Sequence, residues 1–288
     1  MLSLVGIAVV LVCVFGGYIL AGGKIGIIAE ALPFELLIIG GAAVGSFLIA
    51  NGGDVLGRTA KSIGRIVSGP RWTRSDYRDL LCLLFILTKL IRSKGMLAVE
   101  AHIERPQDSA LFQRYPRILA DSFAVTFLCD YLRMMSLDLD DPHHVDEVME
   151  GELERHHHDA LRPAHALQAM ADGLPALGIV AAVMGVIKTM ASISEPPEVL
   201  GGMIGGALVG TFLGVLLSYG AVGPLAARLK QIEDEDARFY GVMRDTITAF
   251  LHGSMPQVAV EVGRKTVPAR SLPSFHDIDE AIAELPAA

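Results

Sequence analysis

Apolar residues gather in two blocks, 1–50 and 173–227, and within them only Lys24, Glu30, Glu35, Lys188, Glu195 and Glu198 carry charge. Residues 199–227 run for 29 positions without a charge, beyond the roughly 20 apolar residues that a helix needs to cross a bilayer. Similar but shorter runs lie at 2–20, about 36–53 and 174–190. The pattern predicts four membrane helices in two hairpins. The loop EPPE at 195–198 is so short that the arms of the second hairpin must be antiparallel neighbours. Gly202, Gly206, Gly210 and Gly214, followed by Ser218, recur every four residues and line small side chains along one helix face. In lipid, such a seam is where another helix approaches closely and van der Waals contact accumulates. The third segment repeats it with Gly178, Ala181, Ala182 and Gly185, and the second with Gly41 and Gly45.

The polar parts read as helical too. Leu80, Leu83, Leu84, Leu87, Leu90 and Ile91 keep the rhythm of an amphipathic helix, with Gly95 as its stop. Further helices are predicted over about 96–104 and 116–135, with a turn in the acidic stretch 137–142. A helix starting near His143 meets only Pro163 before it enters the membrane at Gly173, so a stalk continuous with the third span is expected, with Pro163 as the place for a kink. Residues 226–251 should extend the fourth span inward. Beyond Pro256, the prolines at 268, 273 and 286 predict a mobile tail in which 275–285 can form one short amphipathic helix. The fold class is therefore an all-α membrane protein, with four transmembrane helices and a helical cytoplasmic insert between spans two and three. Its parts are a first hairpin at 1–53, the insert at 54–172, a second hairpin at 173–227, an inward extension at 228–255 and the tail at 256–288.

Charge sets the orientation. Arg58, Lys61, Arg65, Arg71, Arg74 and Arg78 follow the second span, whereas the loop before it has only Lys24. By the positive-inside rule the insert is cytoplasmic, and Arg228 and Lys230 put the C-terminus on the same side. No cation precedes residues 2–20, which reads as a retained span rather than a secretory signal. The composition, 52% hydrophobic with 19% charged, fits this segregation, and a formal charge of −8 argues against nucleic acid as a partner. Three scattered cysteines imply no disulfide framework.

Drawn with these bounds, none of the four spans holds an Asp, Glu or His near its middle, so a carrier group for ions would have to come from a partner. Lys188 lies late enough in the third span to snorkel outward. Pro175 and Pro224 sit at similar depth near the cytoplasmic face, where each removes a backbone donor and permits a hinge; an ordinary packed hairpin is the competing account. The Thr211 hydroxyl in the fourth span can bond to its own helix backbone. His143, His144, His156, His157, His158 and His165 cluster in sequence, but adjacent histidines on a helix point apart, and no metal site is predicted. No phosphate-cradling loop or nucleophile elbow occurs, so neither an enzyme nor a cofactor is expected.

The segments HALQAMADGLPALGIVAAVMGVIKTM, GGALVGTFLGVLLSYG and GPLA, the opening FGGYILAGG, RSKGMLAVEAHIERP, and RYP at 114–116 resemble the MotA family of flagellar stator subunits. That family stands within the wider MotA, TolQ and ExbB group of proton channels, and the resemblance covers residues 1 to about 250. It implies a bacterial inner-membrane protein of motility and chemotaxis, in five copies around two copies of the single-span partner MotB, whose membrane Asp carries the ion. It also implies contact with the rotor switch protein FliG through Arg92 and Glu100, and coupling through Pro175 and Pro224. The position matching a threonine of sodium-driven relatives is Ala182, while Thr211 stays near the expected ion path. With no oxygen-bearing side chain from 174 to 187, the third span offers sodium no ligands, and protons are the expected ion. The alternative is a TolQ- or ExbB-like energiser of an outer-membrane process, which would have three spans; a passive helical scaffold is a third possibility.

Overall fold

The computed structural model describes residues 2–136 and 141–284, and every regular element among them is helical. In chain order the longer helices are α1 (Leu2–Leu20), α2 (Ile25–Ala50), α3 (Gly53–Ser68), α4 (Arg74–Lys94), α5 (Leu97–Glu104), α6 (Ser122–Ser136), α7 (Pro142–Ala191), α8 (Pro197–Leu251), α9 (Pro256–Thr266) and α10 (Phe275–Ala283). They divide into two units, residues 1–69 with 160–232, and residues 70–159 with 233–288.

In the first unit α1, α2, α7 and α8 are long and apolar enough to cross a membrane. Val5, Val9, Val12, Ile179, Val183 and Ile187 are large, apolar and exposed, a surface suited to lipid rather than water. The second span differs from its predicted bounds. It starts at Ile25 and passes Pro33 without ending, because a proline inside a helix forfeits one backbone bond and the Leu36 amide still reaches the Leu32 and Pro33 carbonyls. One π turn, Leu36–Gly40, interrupts its α-helical register. The amphipathic α3 buries Val55 and Ile66; Ile66 packs with Ala164 and Leu229, and Asp54 pairs with Arg162 at 3.3 Å. These contacts group 53–69 and 160–172 with the spans rather than with the insert drawn at 54–172.

The second unit is built on α4, whose Leu80, Leu81, Leu83, Leu84 and Leu87 are buried in one apolar core. Thr73 and Asp76 form a capping box at its start. Its end is Gly95, at φ +83°, a left-handed conformation that a residue with a Cβ rarely adopts. Trp72 stacks on Phe239 with ring centroids 3.8 Å apart. The single helix expected over 116–135 is broken at Asp121. Its carboxylate accepts the Ala124 backbone N–H at 2.8 Å and starts α6 as a cap, leaving Pro116–Leu119 as one separate turn. The long helix expected from His143 is present as α7, which continues through Pro163 and Pro175. The turn expected at 137–142 falls mostly outside the described residues.

The mobile tail expected from 256 onward is instead two helices packed on α4. Ala259, Val260, Val267 and Ile278 are buried, so the tail brings enough apolar surface to offset its ordering. The short helix expected over 275–285 is α10, with a Ser274–Asp277 capping box and an Arg74–Asp277 ion pair. A charged fork also holds the tail: Arg264 donates to both oxygens of Glu261 at 2.6 Å and to the Pro273 carbonyl at 2.9 Å. These bonds hold the Glu261 carboxyl below the usual carboxylate range, with burial opposing more weakly. A lowered folded pKa contributes stability above the unfolded value, and this is lost as pH falls through the folded one. Protection from hydrogen exchange across residues 256–284, taken relative to the intrinsic amide rate at each pH, should therefore fall on acidification below about pH 4, and Glu261→Gln should flatten that dependence. Unchanged acid sensitivity in Glu261→Gln would remove the fork as its cause.

Candidate functional site

Small residues decide how α7 and α8 meet. A Cβ added to Gly214 would lie 2.6 Å from the Leu174 carbonyl oxygen and 2.9 Å from the Gly178 Cα. One added to Gly178 would lie 2.8 Å from the Gly210 oxygen. The two backbones therefore touch where the glycines face each other, and Gly185 repeats the contact against Ala207. The seam is used unevenly: Gly206 faces Ala31 of α2, while Gly202 has open space where its side chain would be.

Gly210 serves a different neighbour. Its missing Cβ would sit 2.7 Å from Oε2 of Glu35, 3.0 Å from the Ala181 Cβ and 3.2 Å from the Ala182 backbone nitrogen. Glu35 is only 7% exposed, and its Oε2 has no hydrogen-bond partner among the described residues. This overturns the expectation that no span carries an acid in its interior. With α2 beginning at Ile25, Glu35 has ten residues of helix before it and fifteen after it. The glycines at 22, 23 and 26 with Pro33 suggest a loop ahead of a span from about 36; the apolar residues that continue back to Ile25 are the signal that moves the boundary. The π turn begins immediately after Glu35, and π turns inside helices are frequent at functional sites. Beside it α2, α7 and α8 enclose an open cavity of about 740 Å³, lined by Glu30, Glu35, Lys188, Thr189, Gly202 and Gly206 among others.

Ala182 and Thr211 are half-buried; the Cβ position of Gly210, the residue before Thr211, is the point that both Glu35 Oε2 and the Ala182 backbone nitrogen approach. Pro175 sits inside the unbroken α7. Pro224 follows a second π turn, Ser218–Val222; having no N–H, it cannot donate the ordinary i−4 bond to the Gly220 carbonyl. Arg92 and Glu100 belong to the second unit; both are exposed, Arg92 at the end of α4 and Glu100 in α5, with Gly95 interrupting the helix between them. The histidines scatter: His156 stacks on Phe123 at 3.5 Å, and His157 Nε2 lies 3.1 Å from Asp234 Oδ1. Among the described residues no three metal-ligating side chains converge.

Known proteins share both this sequence and this fold. Residues 4–95 match the model for the Motility protein A N-terminal region, and residues 120–239 that for the MotA/TolQ/ExbB proton channel family. Motility protein A of Salmonella typhimurium is 42% identical over 98% of this chain and 95% of its own length. Chemotaxis protein LafT of Vibrio parahaemolyticus is 35% identical over 99% of both. The solved structure of C. jejuni MotAB contains a chain with the same fold, at a TM-score of 0.72 and 18% identity, covering 95% of this chain and 98% of that one. The flagellar MotAB stator complex from Bacillus subtilis gives 0.69 at 23% identity, covering 94% and 98%. On the near-full-length identity and the four-span helical architecture together, the chain belongs to the Motility protein A family, within the MotA/TolQ/ExbB proton channel family.

Proposed function

We propose that the chain is a stator subunit of the bacterial flagellar motor, forming with a MotB partner a proton channel that drives the rotor. The single observation that carries this reading is the 42% identity to Motility protein A over nearly the whole length. The four apolar helices fit a multi-pass inner-membrane protein. Arg58, Lys61 and Arg65 beyond the second span, with Arg228 and Lys230 beyond the fourth, support cytoplasmic termini. In the assembly so read, five copies surround two MotB chains, and the MotB Asp carries the ion. Ala182 in place of an oxygen ligand supports protons, and Thr211 is positioned to orient water or the partner carboxylate. Each charge that falls through 100 mV supplies about 2.3 kcal/mol, so a few ions can drive a large rearrangement. Pro175 and Pro224 are its hinge candidates; the π turn before Pro224 supports a backbone that deforms there.

Arg92 and Glu100 are the proposed FliG contacts, supported by their exposure and by the absence of an ion pair to either among the described residues. The energiser reading gains no support of its own, since the motility-specific N-terminal match spans the first hairpin. The test is deletion of the gene with re-expression of variants. Deleted cells should carry normal filaments and fail to swim; Arg92→Glu and Glu100→Lys should restore swimming only poorly, and complementary reversals on FliG should recover it. Deleted cells that swim normally but leak periplasmic contents would favour the energiser reading.

A further inference from the structure

The cavity beside Glu35 joins three observations: a buried carboxyl oxygen without a partner, a glycine that makes room for it, and a largely apolar opening next to it into which Glu30, Lys188 and Thr189 also project. An unpartnered carboxyl is not good packing, because burying a polar group without a hydrogen bond forfeits its bonds to water with nothing in return. An alanine or leucine at position 35 would avoid that cost. The seam then places the carboxyl rather than excluding it: Gly210 yields its side-chain volume to Oε2, and Ala181 and Ala182 flank the same spot. At about 30 Å³ per water, 740 Å³ has room for on the order of twenty waters, and Glu30, Lys188 and Thr189 supply polar partners for them. Glu30 on the same helix and Lys188 on α7 are the charged groups that line the cavity with it; α8 contributes only uncharged residues.

We propose that Glu35 is a proton-exchanging carboxyl of the ion path, supplied by this chain itself, with the cavity as the wet vestibule that feeds it. A hydronium in the cavity gives its proton to a Glu35 oxygen and leaves as water. The carboxylic acid then releases that proton to a second acceptor, water or a partner carboxylate, on the far side of Gly210. Only O–H bonds form and break. The carboxyl meets Gly210, the neighbour of Thr211 in sequence, at the point where the Ala182 backbone also approaches, so the relay touches the proposed channel rather than a separate surface. The proposal deepens the stator reading and rests on it for the second acceptor.

The test uses the full chain co-purified with its single-span partner and reconstituted in liposomes, where a pH step is followed by infrared difference spectroscopy and by a trapped pH dye. A titrating protonated-carboxyl band should appear in the parent and in Glu30→Gln, and be missing from Glu35→Gln. Proton flux should fall about 10²-fold in Glu35→Gln. Glu35→Asp keeps an ionisable group and should shift the band rather than delete it, so the assignment does not depend on the Gln variant folding. Parent-like spectrum and flux in Glu35→Gln would overturn the proposal and leave Glu35 a packing residue, as would a Glu35→Asp band identical to the parent's. A parent complex that shows the Glu35 band but passes no protons would instead overturn the stator reading and leave the proton site standing.

Discussion

Gly214→Ala should prevent assembly of the membrane helices, whereas Gly202→Ala in the same seam should leave it intact. The added methyl is the same, but its surroundings are not. At 214 it would lie 2.6 Å from one backbone oxygen and 2.9 Å from a backbone carbon of α7, and neither atom can rotate away as a side-chain tip could. The helices must separate, forfeiting the contacts that stand in for the hydrophobic effect inside lipid. Overpacking of this kind costs about 1–3 kcal/mol, and repetition around an oligomer multiplies it. At 202 nothing lies within 4 Å, and the exchange of Gly for Ala in a helix should be worth about 1 kcal/mol in favour of the variant. Size-exclusion chromatography and thermal melting in detergent read both effects. Equal loss in both variants would mean that Gly202 meets another subunit and that the close contact is not confined to α7.

Asp121→Ala should destabilise the second unit by roughly 2–3 kcal/mol, from a lost helix cap of about 1 kcal/mol and a comparable loss at the Tyr240 hydroxyl. Asp121 is 5% exposed and does three things: it caps α6 through the Ala124 N–H, accepts the Tyr240 hydroxyl at 3.2 Å and pairs with Arg71. The ion pair adds little, because the Arg71 side chain is 44% exposed and solvent screens it. Asp121→Asn keeps a capping oxygen and should recover about half of the loss, while Arg71→Ala should cost under about 1 kcal/mol. Thermal melting of the three variants separates the contributions. Equal destabilisation by Asn and Ala would show that charge, not the cap, is what matters at this position.

Periodic features were read correctly wherever one helix alone decides them. The α4 stripe of leucines and its stop at Gly95 follow from local spacing and backbone geometry, whereas α7 runs on through Pro163 and Pro175, the first of which the sequence marks as a place for a kink. The departures have different origins. The second span runs back to Ile25 because a helix tolerates Pro33 at the loss of one bond, and the 116–135 stretch breaks because Asp121 caps an amide three residues on, both local matters. The order of the tail is set by a distant partner. For the tail, α4 supplies the apolar surface that buries Val260 and Ile278. Local spacing carries Arg92 and Glu100 no further than solvated charges; their role in rotor contact is proposed from the family resemblance and not from the geometry.

By itself the sequence determined the four spans, their pairing into hairpins, the helical insert and the glycine seam, because hydrophobic length and helical periodicity are properties of one strand of chain. Only the tertiary structure decided which glycines bear on which neighbour, that Asp121 ends one helix turn and begins another, and that Glu35 lies inside the membrane unit against Gly210. The burial of Glu35 against Gly210 depends on atoms far apart in the chain, and no local pattern in the sequence encodes that approach.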